Sequence, residues 1–395
     1  MIFFQGPSAK RGNKHNTKEK PFEHSWLLTS LKGHSDRVLS IDMSPNDKFL
    51  ASSCLDRSMI LWPSKHFSSK EQKCVRGNVA FDHGLHVKWS PDAKALIVHK
   101  ETSRQIEVYR IAKKEGGSDT AYTFTAALEF QLLHSADDDV IALDMDSKGR
   151  FIMTCSSKKN DLALFDLKGS LITRFDTVLM TTYYANVSPC GNFVAACGFT
   201  PEVKVWNAKF TKSGSFEKVT RAYELTGHSS GVYHFTWRND ASMIATVSKD
   251  GTWRVYKVDI EFSRGEEPKL IAKGSVSALP SSRVALSPDG RIVAISVDKN
   301  IKLFAIGGNK WSVEIKDVHA SPITGLLFDA EGRWIISSGD KHIRVFHNVI
   351  GYQMSLLDFK EAYANAVTSG HKERLTQQVE EVKQRLKSIG ETVWK

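Results

Sequence analysis

The sequence predicts an all-β fold: a seven-bladed propeller with a short helical extension at its C-terminus. Two observations carry this reading. A unit of short hydrophobic strands punctuated by Ser-Pro-Asp-Gly-like turns recurs seven times, at intervals of 42 to 56 residues. Each unit has room for four short strands, which makes it a propeller blade rather than one turn of a helical solenoid.

The copies contain VLSIDMSPNDKFLASSCLDRSMILW from Val38, VKWSPDAKALIV from Val87 and IALDMDSKGRFIMTCSS from Ile141. They continue with YANVSPCGNFVAACGFTPEVKVW from Tyr184, VYHFTWRNDASMIATVSKDGTWRVY from Val232, VALSPDGRIVAISVDKNIKLF from Val284 and ITGLLFDAEGRWIISSGDKHIRVF from Ile323. The second turn residue is Pro45, Pro91, Ser147, Pro189, Asn239, Pro288 or Ala330. Ahead of the first turn, Val38, Ser40 and Asp42 alternate with Leu39, Ile41 and Met43, the period of two that marks a strand. Turn residues then keep consecutive strands from merging.

A ring of blades must leave no strand edge open. The stretch His24 to Leu31 precedes the first repeat and has no blade of its own, so it is expected to pair with the last blade, built from residues 323–347. The propeller is thereby expected to span residues 22–350. Residues 351–395 read as helical, with one helix over 353–368, a break at Gly370, and a second helix. That second helix carries Leu375, Val379, Val382, Leu386 and Ile389 at spacings of 4, 3, 4 and 3. Two such heptads are short for a free coiled coil, so packing on the neighbouring helix or on the propeller is expected, with dimerisation or partner binding as the alternative.

Hydrophobic residues make up 41% of the 395 and charged residues 25%, an ordinary globular balance. The net charge is +10, of which +4 falls in residues 1–21 through Lys10, Arg11, Lys14, Lys18 and Lys20 against Glu19. This segment is expected to be a flexible basic arm. The five cysteines form no C-x-x-C pair, which favours reduced thiols over a disulfide framework. No run of about 18 apolar residues occurs, so this chain is expected to be mostly soluble, any membrane attraction of the basic arm being weak and salt-sensitive.

Gly33-His34 and Gly227-His228 stand ahead of repeats one and five, and His319 stands ahead of repeat seven. The strands that follow close on Trp62, Tyr109, Phe165, Trp206, Tyr256, Phe304 and Phe346. This pattern resembles the WD40 family. The resemblance implies a buried relay of His, Ser or Thr, Asp and Trp within a blade: His34, Ser52, Asp56 and Trp62 in the first, and His228, Thr246 and Asp250 in the fifth, where Tyr256 replaces Trp. Repeats two to four have no Asp six residues before the aromatic, so they are expected to cohere by packing alone. The resemblance also implies that residues beside the turn Asp line one rim of the ring. Leu55, Arg57, Lys249, Lys341 and Arg37 are the candidate partner-binding residues on that rim.

The whole chain is similar to the transducin beta-like protein 2 family, on the segments AYTFTA at Ala121, NVSPCGNFVAACGFTPEVKVW at Asn186, VSKDGTWRVY at Val247, RVFHN at Arg344 and LKSIG at Leu386. That resemblance implies an endoplasmic-reticulum protein whose propeller faces the cytosol. It further implies association with the stress kinase that phosphorylates a translation initiation factor, and a link to selective translation under stress. Family members carry an N-terminal membrane helix ahead of the basic segment.

Against an enzyme stands the lack of a G-x-S-x-G elbow, an H-E-x-x-H pair and a G-x-x-x-x-G-K-S/T phosphate loop. The acidic run Asp137, Asp138 and Asp139 is expected to be a solvated loop. The chain is therefore read as a non-enzymatic scaffold for partner proteins, with no cofactor, no metal and no small-molecule substrate. The alternative is RNA or ribosome association through basic surface, although no aromatic-basic motif of the RNA-binding modules is present.

Overall fold

The second and third strands of each repeat are nearly unbroken runs of small and apolar residues. Phe49–Cys54 (FLASSC) and Ser58–Pro63 (SMILWP) are buried at eleven of twelve positions. A strand buried on both faces must lie between two other sheets. In the computed structural model, which describes residues 21–69, 71–114, 116, 121–132, 139–307 and 311–394, this is met by seven four-stranded antiparallel sheets arranged as a propeller. Blade one comprises Val38–Met43, Phe49–Cys54, Ser58–Pro63 and Val75–Asn78. Blades two to six follow within residues 84–131, 140–176, 182–225, 232–275 and 284–315.

The core is divided among the joints between blades. Phe151 and Leu164 of blade three interdigitate with Val194 and Trp206 of blade four. Val203 and Val205 of blade four meet Phe235 and Ile244 of blade five in the next joint. Burial falls outward, and the outermost strand of blade five, Lys269–Ser275, is exposed at most positions.

Blade seven takes three strands from residues 325–347 and its fourth from the N-terminus. Leu27–Lys32 lies antiparallel to His342–His347, with Leu31 opposite Ile343 and Lys32 opposite His342. Leu31 is buried, and the joint to blade one is tied by the Val38 N–H to the Asp340 carbonyl at 3.0 Å.

The turn that joins the first two strands of each blade follows one rule. Two residues past the repeat marker the backbone is left-handed in all seven blades: Asp47, Ala93, Gly149, Gly191, Ala241, Gly290 and Gly332 have φ between 55° and 74°. Glycine fills four of the seven because it alone enters that region without a Cβ clash. In blade one the Ser44 hydroxyl locks the turn, donating to Asn46 at 2.8 Å and accepting from the Phe49 N–H at 2.9 Å.

The extension is two helices, α1 (Val349–Asn365) and α2 (Ser369–Ser388). The first begins four residues before the expected start at 353, because the Asn348 side chain accepts from the Gly351 N–H and caps it there. Gly370 is not the break; it lies in the first turn of α2, and the chain leaves the helix at Ala366, which is extended. The α2 seam faces inward: Leu386 is buried in the cluster that joins blades six and seven, with Val379, Val382 and Ile389 against it. Trp394 closes this joint, its backbone N–H on Gln353 and its ring against Trp26 and Trp311.

Two outcomes test this architecture. Deleting residues 1–32 removes the fourth strand of blade seven and should lower the melting temperature by on the order of 10 °C and cause aggregation, whereas deleting residues 1–20 should leave it within a degree or two. Gly149→Ala should cost about 1–2 kcal/mol, since its Cβ would meet nothing. Gly191→Ala should cost more, because its Cβ would lie 2.0 Å from an Asp146 carboxylate oxygen. Equal losses in chemical denaturation would reject the turn argument.

Candidate functional site

Antiparallel order places the turns between second and third strands, and the connections between blades, on one face of the ring, here called the upper face. The histidines of the repeats sit where these connections enter a blade. In blade one the Trp62 indole donates to Ser52 Oγ at 2.9 Å, and Ser52 Oγ lies 2.7 Å from His34 Nε2. His34 Nδ1 is 2.9 Å from Ser58 Oγ and 3.5 Å from Asp56, so Ser58 stands between the imidazole and the carboxylate. Asp56 also accepts from the Ser35 N–H and the Ser58 hydroxyl. One tautomer satisfies every member: neutral His34 with its proton on Nδ1 and Nε2 accepting from Ser52.

Blade five repeats the arrangement more directly. His228 lies 2.8 Å from Thr246 Oγ1 and 2.9 Å from Asp250 Oδ2. Tyr256 does not reach Thr246; its hydroxyl donates to the Thr226 carbonyl at 2.7 Å and ties down the incoming connection. Blade seven contains a third such set that the expected residues omitted. His319 joins Ser337 at 2.9 Å and Asp340 at 3.1 Å, with Arg344 donating to Asp340. Its signal was present in sequence, since Asp340 stands six residues before Phe346 and His319 ahead of the repeat. Phe346, which has no donor, stands where the relay's Trp would be, and Arg344 bonds Asp340 from a different position.

Blades two to four do not cohere by packing alone. Asp82 accepts from the Thr102 and Ser103 N–H groups in blade two. The Ser156 hydroxyl donates to Asp161 at 2.5 Å in blade three, and Asn160 accepts from the Thr182 N–H across the joint to blade four. A buried polar group without a partner is costly, so blades lacking histidine still pair what they bury.

These environments move the titrations apart. Burial lowers His34 to about 4, against the raising effect of Asp56, and it lowers His228 and His319 in the same sense. Burial works to raise Asp56 and Asp340, but hydrogen bonds from Ser58 and Ser35 to the first, and from His319 to the second, hold both far below the usual carboxylate range. His34, Cys54 and Asp56 lie close enough together to suggest a metal trio. Burial pushes the Cys54 thiol up to about 12, and its S–H donates to the Asp36 carbonyl, so the trio belongs to the hydrogen-bond network.

All five candidate rim residues fall on upper-face loops, but the fold does not gather them into one patch. Arg37 and Lys341 line an open depression of about 1540 Å³ between blades one and seven, where Arg37 donates to the Pro322 carbonyl. Leu55 and Arg57 flank Asp56 and are exposed, and Arg57 is left-handed at φ 65°. Lys249 is exposed on blade five, across the ring. Lys10, Arg11, Lys14, Lys18 and Lys20 lie outside the described residues, as do Asp137 and Asp138; Asp139 is described and exposed.

The upper face has a second feature that the rim rule did not anticipate. Leu55, Phe81, Val178, Met180, Phe199 and Leu279 all sit on its loops and are 39–96% exposed. Val178, Met180 and Phe199 are neighbours: the Phe199 N–H donates to the Thr181 carbonyl, and Lys204 Nζ to that of Val178.

Comparison with known proteins agrees with this geometry. The WD domain, G-beta repeat family matches residues 25–63, 219–257 and 312–347, which cover the three histidine-bearing connections or their blades. Transducin beta-like protein 2 of Homo sapiens is 38% identical over 394 residues, 98% of this chain and 87% of the relative; that of Mus musculus is 37% identical over 393 residues with the same coverage. The chain belongs to the transducin beta-like protein 2 family. A more distant similarity, to actin-interacting protein 1 of Drosophila melanogaster, is 23% over 242 residues, 57% of this chain and 34% of that protein. The chain is a WD40 propeller, and no helix among its described residues is long and apolar enough to cross a membrane.

The relay geometry makes an acid-sensitivity prediction. Histidines held neutral bind fewer protons folded than unfolded, so their contribution is intact above about pH 6.5 and lost as pH falls toward 4; for His34 that is roughly 3 kcal/mol. The depressed aspartates lose theirs only below the unfolded carboxylate range, near pH 4 and lower. Melting temperature should therefore be flat above neutrality and fall between about pH 6.5 and 4, less steeply in His34→Gln. At pH 7, Asp56→Ala should cost roughly 1–3 kcal/mol and Trp62→Phe less than Trp62→Ala. A wild-type melting curve for Asp56→Ala would sink the role assigned to it.

Proposed function

We propose that this protein is a non-enzymatic scaffold that holds partner proteins against the upper face of its propeller. The observation that carries this reading is the set of exposed Leu55, Phe81, Val178, Met180, Phe199 and Leu279 on one face. Val178, Met180 and Phe199 lie side by side among them, and a contiguous exposed apolar patch marks an interaction site. The histidines and aspartates that could have served chemistry there are occupied by each other. Arg37, Arg57, Lys249 and Lys341 add positive charge elsewhere on the same face.

Membership of the transducin beta-like protein 2 family supports a finer reading. The partners proposed are the endoplasmic-reticulum stress kinase and translation factors, met on the cytosolic face of that organelle. Proximity labelling from the full chain in stressed cells tests both levels. Phe199→Asp and Met180→Asp should each reduce labelling of specific neighbours at least fivefold without changing the melting temperature. Unchanged labelling would remove the upper face from the reading, and labelled partners without the kinase would remove the finer one. Recovery chiefly of ribonucleoproteins, with a steep loss on raising salt, would favour RNA association instead.

A further inference from the structure

Two cations at the innermost strands of the ring, Lys88 and Arg283, are treated differently. Lys88, on the innermost strand of blade two, lies 3.5 Å from Asp42 and 3.6 Å from Asp144, the carboxylates of the blades on either side. Both carboxylates are held in turn, Asp42 by the Trp89 N–H and Asp144 by that of Val187. Arg283, where the chain enters the innermost strand of blade six, has no carboxylate within ion-pair reach among the described residues. Its guanidinium makes one long hydrogen bond, 3.4 Å to the Ser282 carbonyl of its own loop. Its backbone, by contrast, is pinned to Ser296 at 2.8 and 2.9 Å, so the side chain is presented from a fixed base.

The guanidinium borders a pocket of about 260 Å³ at the upper mouth of the channel, walled by Leu85, His86, His99, Val140 and Tyr183. These residues come from blades two, three and four, opposite blade six, so the pocket spans the channel. Burial lowers the Arg283 pKa, with Tyr184 and Cys197 nearby raising it. Burial also lowers His86 to about 4, and the charges of Arg283 and Lys88 push it the same way. The charged groups that share the wall are Arg104, Glu101 and Asp139. Glu101 is engaged by His83 at 2.5 Å, and Asp139 is exposed to solvent. Arg283 is half-buried at the channel mouth and has no counter-charge among the described residues, and an arriving carboxylate would meet its guanidinium with a bidentate bond.

We propose that the upper channel mouth binds an acidic peptide of a partner protein, with one carboxylate on Arg283 and flanking apolar side chains on the ridge of Val178, Met180 and Phe199. This rests on the scaffold reading above and specifies the partner's chemistry. The ridge supplies apolar area beside Tyr183, two residues along the chain from Thr181, and the pocket supplies the charge. One acidic side chain fits a pocket of this size, whereas a folded domain does not enter it.

The test is panning of a random peptide library on the intact protein and on Arg283→Met. The wild type should enrich peptides in which Asp or Glu is flanked by Phe, Leu or Ile. The best of these should bind wild type at least tenfold more tightly than Arg283→Met, and its amide twin (Glu→Gln or Asp→Asn) should lose the same factor on wild type but nothing further on Arg283→Met. The melting temperature of Arg283→Met should equal or exceed wild type, a readout that a structural arginine would move downward; the amide twin tests the pairing on unaltered protein if that variant fails to fold. Enrichment without acidic residues, no enrichment, or equal binding to both proteins overturns the proposal. Equal binding that is nevertheless lost on Phe199→Asp leaves the interaction face standing and removes only the carboxylate assignment. Displacement of the peptide by polyuridylate with a steep salt slope would assign the guanidinium to phosphate, and also overturns it.

Discussion

A ring of sheets is stable only when every strand edge is paired, and in this protein the whole circle depends on one pairing between distant parts of the chain. Leu27–Lys32 forms the outer strand of blade seven before any blade of its own has been made. The paired residues lie more than three hundred positions apart, so this pairing closes the longest loop of any strand pair among the described residues. It also joins blade seven to blade one through Leu31, Val38 and Ile343 in one buried cluster. The helical extension packs on the neighbouring joint, between blades six and seven. Trp26 just before the closing strand donates to Glu391, and both segments are thereby held to that pair of blades.

Around that closure, polar groups inside the blades serve a related purpose. Each histidine set ties the connection entering a blade to its second and third strands, so the loops of the upper face are held by the core beneath them. Three blades use histidine, and blades two to four use Asp82, Asp161 and Asn160 instead. The chemistry differs while the mechanical result is shared. A propeller can therefore tolerate a degenerate signature in several blades, provided each finds some partner for what it buries.

The repeat was the most legible feature, because strand alternation and turn residues are local properties. The seven-fold left-handed turn position was implicit in it, two residues past each marker, although Asp47, Ala93 and Ala241 disguised it where Gly was absent. The relay of blade seven was half visible: His319 and Asp340 were in place, but Arg344 does not belong to the usual set. The helix α1 starts at Val349 rather than at 353 because the Asn348 side chain caps it, a contact that hydrophobic spacing does not announce. Arg283 was not legible at all. A sequence shows where an arginine stands, but whether a carboxylate lies within 4 Å of it is a property of seven blades brought together.

The ridge on the upper face shows how that assembly prepares a surface. Val178 is left-handed at φ 54°, an outlier for a β-branched residue, and Met180 follows at 62°. Such backbone costs of order 1–3 kcal/mol per residue and persists only where surroundings over-determine it. Here they do. Buried Lys204 binds the Val178 carbonyl at 2.6 Å, Asn160 binds that of Met180 at 2.7 Å, and Phe199 binds that of Thr181 at 2.9 Å. Lys204 and Phe199 both come from the segment GFTPEVKVW, one of the stretches that carry the family resemblance. One short segment thus contributes an exposed aromatic and the buried cation that fixes its apolar neighbours. Loops held in a strained, exposed arrangement lose little further freedom when a partner docks, which is how a rigid face gains affinity without additional area.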